Sequence, residues 1–463
     1  MKKLFNLVCV AFLSVVIMVS GFSFSSITVS AEEEENWPSG PQVVAESAIL
    51  IEATTGAVLY NKNMNQQMYP ASITKILTAL VALENSSLDD SVVFSYTSAS
   101  SSLEEGAANI GINEGESLTM EDALYALLLH SANDVANGIA ENVGGSTTKF
   151  VTMMNKRAKE AGALNSNFVN PSGLFDENHY TTAYDMAMIM RECIKNSTFD
   201  KIDGTTTYTI GGSNFSGGPL EVVNRNKMLI PGNPYYYEGV IGGKTGYLQK
   251  SGRTLITVAR RNNMTLISVI LNTTTESQFT DATMLLDYGF NNFNLLNISE
   301  NETHFSSSGS GFLSSAGSIF DSHKSSEIYI SPKDNVVLPK NISFSDTDPL
   351  LKVIKNRIDN SLATIEYSYL GNYVGKTTLK VKDLSSSSET SPFINKEASN
   401  DSLGLDWQLR INIWYVILAG FLIIVFLLIR RNLNLSIFTD ALKRKGQIQK
   451  KKSRSKKRRR LHF

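Results

Sequence analysis

Cysteine is nearly absent from this 463-residue chain, which holds two, Cys9 and Cys193. Cys9 falls in an N-terminal segment that reads as removed on export, which leaves one thiol and excludes an intramolecular disulfide. Cys193, inside Ala187-Met188-Ile189-Met190-Arg191-Glu192-Cys193, reads as a small buried hydrophobe rather than a nucleophile. Net charge is also scarce, at -1, yet residues 430–463 hold 14 Lys or Arg against one Asp, so the rest of the chain is strongly acidic. That basic tail has no interleaved aromatics, which argues for membrane topology and contact with anionic lipid and against nucleic acid. The chain is 42% hydrophobic and 19% charged, so wholesale disorder is excluded, and its length implies two folded domains with additions.

Long apolar runs are confined to the two ends. Lys2 and Lys3 precede a run from Leu4 to Val19, and Val29-Ser30-Ala31 places small residues before Glu32. This is the three-part pattern of a secretory signal peptide, residues 1–31. Near the other end, residues 411–429 are 19 positions free of charge, enough at about 1.5 Å per residue to cross most of a bilayer core. Trp414 and Tyr415 sit at one end of the run and Arg430-Arg431 at the other. The positive-inside rule then predicts a single-pass protein in the cell membrane, with its folded part outside and residues 430–463 in the cytoplasm.

Between these ends, Ser47–Glu52 and Ala57–Asn61 read as strands about a Thr54-Thr55-Gly56 turn. A helix apolar on nearly every side follows Ser72, which is expected to cap it. Helices are expected over Leu118–His130, Asp134–Val143, Lys149–Ala161 and Thr182–Lys195, with Thr119 and Thr182 as caps. Strands over Gly239–Gly246, Thr254–Ala259 and Thr265–Leu271 and a helix from about Thr280 to Phe290 close the domain, residues 32–295. A Ser/Gly-rich linker (296–326), a β-rich domain (327–384) and a second linker (385–410) precede the apolar run.

Three short motifs carry the chemistry. In Ser72-Ile73-Thr74-Lys75 the spacing of three puts the Lys75 amine on the same helical face as the Ser72 hydroxyl. A lysine kept neutral by burial can take the proton that makes a serine nucleophilic. Ser131-Ala132-Asn133 falls at a break between helices, and Lys244-Thr245-Gly246 lies on a glycine-flanked strand. S-x-x-K alone is weak, since Ser146-Thr147-Thr148-Lys149 and Ser453-Arg454-Ser455-Lys456 also match. Taken singly, Ser131 and Asn133 could cap the next helix and Lys244 could be a surface cation. The three motifs in this order reverse those odds.

From about Ala45 to Leu295, including Asn170-Pro171-Ser172-Gly173-Leu174, the chain resembles the D-alanyl-D-alanine carboxypeptidases among the low-molecular-weight penicillin-binding proteins. The resemblance implies an α/β (α+β) penicillin-binding, β-lactamase-like transpeptidase fold, an antiparallel sheet with a central helical cluster, followed here by a β-rich domain and one transmembrane helix. It implies a serine peptidase that removes the terminal D-alanine of peptidoglycan stem peptides and is acylated by β-lactams. No cofactor and no metal are expected. By the same carry-over Ser72 attacks, Lys75 accepts its proton, Ser131 passes a proton to the leaving D-alanine, and Asn133 orients Lys75 and the substrate amide. Lys244 and Thr245 hold the terminal carboxylate, Gly246 permits close approach to the strand, and the N–H groups of Ser72 and Tyr247 receive the oxyanion. The family often has histidine where this chain has Tyr247.

Two rivals share these motifs. A serine β-lactamase needs a carboxylate-held water, usually from E-x-x-L-N, and Glu160-Ala161-Gly162-Ala163-Leu164-Asn165 is one residue too long. An anchored wall-binding protein without turnover predicts loss of Ser72, Lys75 or Lys244, and all three are present.

Overall fold

The structure, a computed structural model, describes residues 37–100, 108–211, 213–214, 218–303, 327–354 and 360–382. The signal segment (1–31), most of both linkers, the apolar run 411–429 and the basic tail lie outside the described residues. Among the described residues no helix is long and apolar enough to cross a membrane.

In chain order the principal elements begin with β1 (Ser47–Glu52), β2 (Val58–Lys62), α1 (Lys75–Asn85), β3 (Ser91–Val93) and β4 (Ser117–Thr119). They continue with α2 (Met120–Tyr125), α3 (Asn133–Gly144), α4 (Thr147–Glu160), α5 (Ala183–Cys193), α6 (Ser197–Asp203), β5 (Thr207–Ile210) and β6 (Leu220–Val223). β7 (Val240–Leu248), β8 (Gly252–Arg261), β9 (Met264–Thr273) and α7 (Ser277–Asn292) complete the first half. The second half holds β10 (Phe293–Asn297), β11 (Glu327–Ile330), β12 (Asn335–Pro339), β13 (Asp348–Val353), β14 (Ser361–Tyr369) and β15 (Asn372–Lys382).

β2-β1-β9-β8-β7 form one antiparallel sheet. Alternation along its strands sends Ile49, Ile51, Ile256, Val258, Ile267 and Val269 to a helical cluster built on α1, α3 and α5. The intervening Ala48, Leu50, Leu255, Leu266 and Ile270 face Phe279, Leu285 and Leu286 of α7. Helices thus cover both faces of the sheet, and α1 is buried from Lys75 to Ala82. Thr119 and Thr182 cap α2 and α5, each accepting from the backbone N–H three residues on, as the sequence predicts.

Ser72 does not cap α1. It lies inside a 3-10 turn, Ala71–Thr74, that leads into the helix, and Ala71 takes a left-handed φ of 52°. The turn is held from outside, because Thr254 Oγ1 donates to Pro70 O at 2.9 Å. Strain at a left-handed non-glycine residue persists only where neighbours fix it. Ser131 and Asn133 do not cap α3 through their side chains either; Ala132 is its N-cap residue.

The second sheet runs β10-β12-β15-β14-β13, with β11 pairing β15. Its first strand comes from the segment directly after α7, so the two sheets are joined without a long connection. β14 alternates buried and half-exposed residues along its whole length, the mark of a sheet with one packed face.

Candidate active site

Ser72, Ser131, Asn133, Thr245, Gly246 and Tyr247 line one cleft of about 340 Å³, together with Arg225, Lys227, Arg253 and Gln278. Lys75 and Lys244 lie behind its walls, 0% and 1% exposed.

Each wall has a local cause. The 3-10 turn presents the Ser72 hydroxyl while α1 buries Lys75. Ser131 ends the π-helical turn Ala126–His130 with a left-handed φ of 68°, which turns its side chain out of the helical path. The segment leading to it is tied to α3, since Asp134 accepts from the N–H groups of Ile110, Gly111 and Ile112, and Asn133 N–H donates to Ala108 O at 2.8 Å. The third wall is β7. A Cβ at Gly246 would lie 3.0 Å from Ser72 N and 2.4 Å from Thr254 Oγ1, so glycine there admits the chain's own Ser72 turn against the strand.

Lys75 Nζ has three acceptors, Ser72 Oγ at 3.2 Å, Asn133 Oδ1 at 2.6 Å and the Ser172 carbonyl at 2.6 Å. A charged ammonium would donate to all three. A neutral amine has two hydrogens, which the two short contacts use, and its lone pair then faces the Ser72 hydroxyl. Burial favours that neutral form, and so do the positive charges of Lys244 and Arg225, so the Lys75 pKa lies well below the usual lysine value. Burial and Arg225 likewise push Lys244 down to about 7, against the opposing charge of Asp203. Ser131 Oγ is buried with no hydrogen-bond partner, a polar atom left unpaired at the cleft wall.

His179 is buried at the back of the turn and does not reach Ser72. Its Nδ1 accepts from Val169 N–H at 3.2 Å, which assigns the proton to Nε2, and Nε2 donates to Thr74 Oγ1 at 2.9 Å. Burial pushes its pKa down to about 4. His130, half-buried at the end of its turn, also has a lowered pKa, from burial and then Arg225. The rival S-x-x-K at Ser146 is a helix cap, with Ser146 Oγ accepting from Lys149 N–H. Glu160, at the exposed end of α4, pairs with Lys156 at 3.8 Å and is not in the cleft. Among the described residues lining the cleft there is no carboxylate.

Sequence reasoning missed three contributors. The Ser172 carbonyl, the third acceptor for Lys75, is fixed by Asn170 Oδ1, which accepts from Gly173 N–H at 2.7 Å. Arg225 sits in a stretch rich in Gly, Asn and Pro that has no period to mark it, and its backbone N–H is tied to Leu129 O. Arg253 lies with its guanidinium 4.2 Å from the Tyr247 ring centre, and its Nε donates to Thr275 Oγ1 at 3.2 Å. A residue nine positions after Lys244 gives no local sign of meeting the cleft.

A serine hydroxyl 3.2 Å from a buried lysine amine, beside the free edge of a sheet and among the cations Arg225, Lys227 and Arg253, is the geometry of the acyl-serine class. Comparison with known proteins narrows the class. Residues 34–275 match the family described as D-alanyl-D-alanine carboxypeptidase. The chain belongs to that family of serine peptidases, the low-molecular-weight penicillin-binding proteins. It is 36% identical over 255 residues to the D-alanyl-D-alanine carboxypeptidase DacF of Bacillus subtilis (strain 168), covering 54% of this chain and 63% of that one. With the Haemophilus influenzae carboxypeptidase DacA it shares 32% identity over 291 residues, 61% of this chain and 70% of the relative. The crystal structure of the Streptomyces K15 DD-transpeptidase superposes with a TM-score of 0.51 at 28% identity, covering 55% of this chain and all of that one.

Proposed function

We propose that the protein removes the terminal D-alanine from peptidoglycan stem pentapeptides through an acyl-enzyme on Ser72, and that β-lactams acylate the same serine. The observation that carries this reading is the Lys75 amine, held by Asn133 and Ser172 with its remaining valence toward Ser72 Oγ. Lys75 takes the Ser72 proton as Oγ attacks the D-Ala-D-Ala carbonyl, and the oxyanion forms between the N–H groups of Ser72 and Tyr247. Ser131, with its free hydroxyl, passes a proton to the leaving amine, and Asn133 keeps Lys75 in place while contacting the substrate amide. Lys244 and Thr245 receive the substrate carboxylate. Hydrolysis of the acyl-enzyme completes the cycle. The secretory pattern of residues 1–31 and the charge-free run 411–429 support an exported, membrane-anchored enzyme facing the wall.

The test is intact mass of the full-length protein after benzylpenicillin, beside Ser72→Ala, followed by D-alanine release from a peptide ending in D-Ala-D-Ala. A lasting adduct on wild type alone, with D-alanine released, is expected. Rapid loss of the adduct with penicillin hydrolysed would make the protein a β-lactamase instead.

A further inference from the structure

β7 is an outer strand of its sheet, so one row of its backbone groups has no sheet partner and can pair with an extended peptide. That row is closed at one end. Gly243 N–H donates to Asp203 Oδ2 at 2.6 Å, outside the sheet. The alternation of an antiparallel strand turns the backbone groups of Thr245 and Tyr247 the same way as those of Gly243. Thr245 and Tyr247 line the cleft, whereas Gly243 does not.

The end of α6 makes the closure. Asp203 is 1% exposed, and the next residue, Gly204, lies so near the strand that a Cβ would come within 2.4 Å of the Ile241 carbonyl. Asp203 and Gly204 therefore cover the outer edge from Ile241 to Gly243 and leave it open from Thr245 onward. Gly243 has φ +139°, and a Cβ there would fall 2.1 Å from the Ile256 carbonyl, so only glycine keeps the edge turned toward Asp203. Asp203 Oδ1 has no hydrogen-bond partner, which makes this carboxylate a costly way to fill space.

Resting on the assignment of the oxyanion to Tyr247 and of the carboxylate to Lys244 and Thr245, we propose that Asp203 is a positioning residue that ends the peptide-binding edge at Thr245. Only one residue then fits beyond the scissile bond, and the enzyme is held to C-terminal trimming. Between Tyr247 and Thr245 the strand advances about 6.6 Å, room for one residue and its carboxylate. A further residue would need the Gly243 N–H, which Asp203 already occupies.

The test uses full-length protein whose active sites are counted by penicillin adduct, and compares a peptide ending in D-Ala-D-Ala with the same peptide extended by a C-terminal glycine. Wild type is expected to cleave the D-Ala-D-Ala bond of the extended peptide about 100-fold less efficiently. Asp203→Ala, which frees the Gly243 N–H, is expected to narrow that ratio about tenfold, whereas Asp203→Asn, whose amide oxygen still accepts it, keeps the ratio. Because both peptides meet the same counted sites, the ratio does not depend on the folded fraction. Wild type that cleaves both peptides equally overturns the proposal whether or not Asp203→Ala folds, as does an alanine variant with an unchanged ratio. A wild type that forms no adduct would defeat the acyl-serine reading itself.

Discussion

The first sheet and the second are both antiparallel, but they bury different things. Strands β8 and β9 are enclosed on both faces, and the helices around them enclose Lys75, Asp134, Lys244 and Asp203 as well. The second sheet packs Val336, Leu338, Ile365 and Tyr367 together and keeps its lysines at the surface, as at the Lys352–Glu366 pair on β13 and β14; the one carboxylate buried in this core among the described residues, Glu302, accepts from the Tyr367 hydroxyl. Burial of a lysine without a carboxylate partner lowers stability. The proposed role of Lys75 as a base accounts for that cost, because an amine must be neutral to accept a proton, while the second sheet buries no lysine among its described residues.

The contrast breaks most sharply at Lys75. Lys75→Met keeps the stem and removes the amine, so D-alanine release is expected to fall by about 10³-fold or more. The melting temperature is expected to change little, since removing a desolvated amine offsets the loss of its bonds to Asn133 Oδ1 and the Ser172 carbonyl. A fall in both would mean that Lys75 is structural.

In the second sheet the opposite pattern is expected. Ile365, fully buried on β14, contributes packing alone. Ile365→Ala is expected to lower unfolding free energy by about 3 kcal/mol in a denaturant titration, with the rate of penicillin acylation unchanged. Slowed acylation would show that the second sheet braces the site.

An effect of similar size to that of Ile365→Ala sharpens the comparison through pH. The folded-state pKa of His179 is about 4, against an ordinary 6.5. Between these values the unfolded chain binds a proton that the folded one does not, so stability falls as pH drops from 6.5 to 4 and the contribution is flat below. The full contribution is about 3 kcal/mol. Unfolding midpoints at pH 7 and pH 4.5 are expected to differ less in His179→Gln than in wild type. An equal difference would assign the acid sensitivity to other groups.

Much of the fold was legible because its signals are local. The strand pair at Ser47–Asn61, the buried character of α1 and the capping threonines of α2 and α5 follow from apolar spacing and short-range hydrogen bonding. The error at Ser72 is instructive, since serine before an apolar helix favours a cap by local rules. The chain instead enters a 3-10 turn, pinned by Thr254 from β8, with Ala71 left-handed. That choice belongs to a contact 184 residues away in sequence.

The sequence by itself determined which residue types could act and in what order, because Ser72, Lys75, Ser131, Asn133, Lys244 and Thr245 sit in motifs a few residues long. Their joining in one site, the lowered pKa of Lys75, the arrival of Arg225 and Arg253, and the closing of the β7 edge by Asp203 were decided by the tertiary structure alone. Desolvation, charge–charge fields and strand-edge pairing depend on distances between distant segments, and no local stretch of chain encodes them.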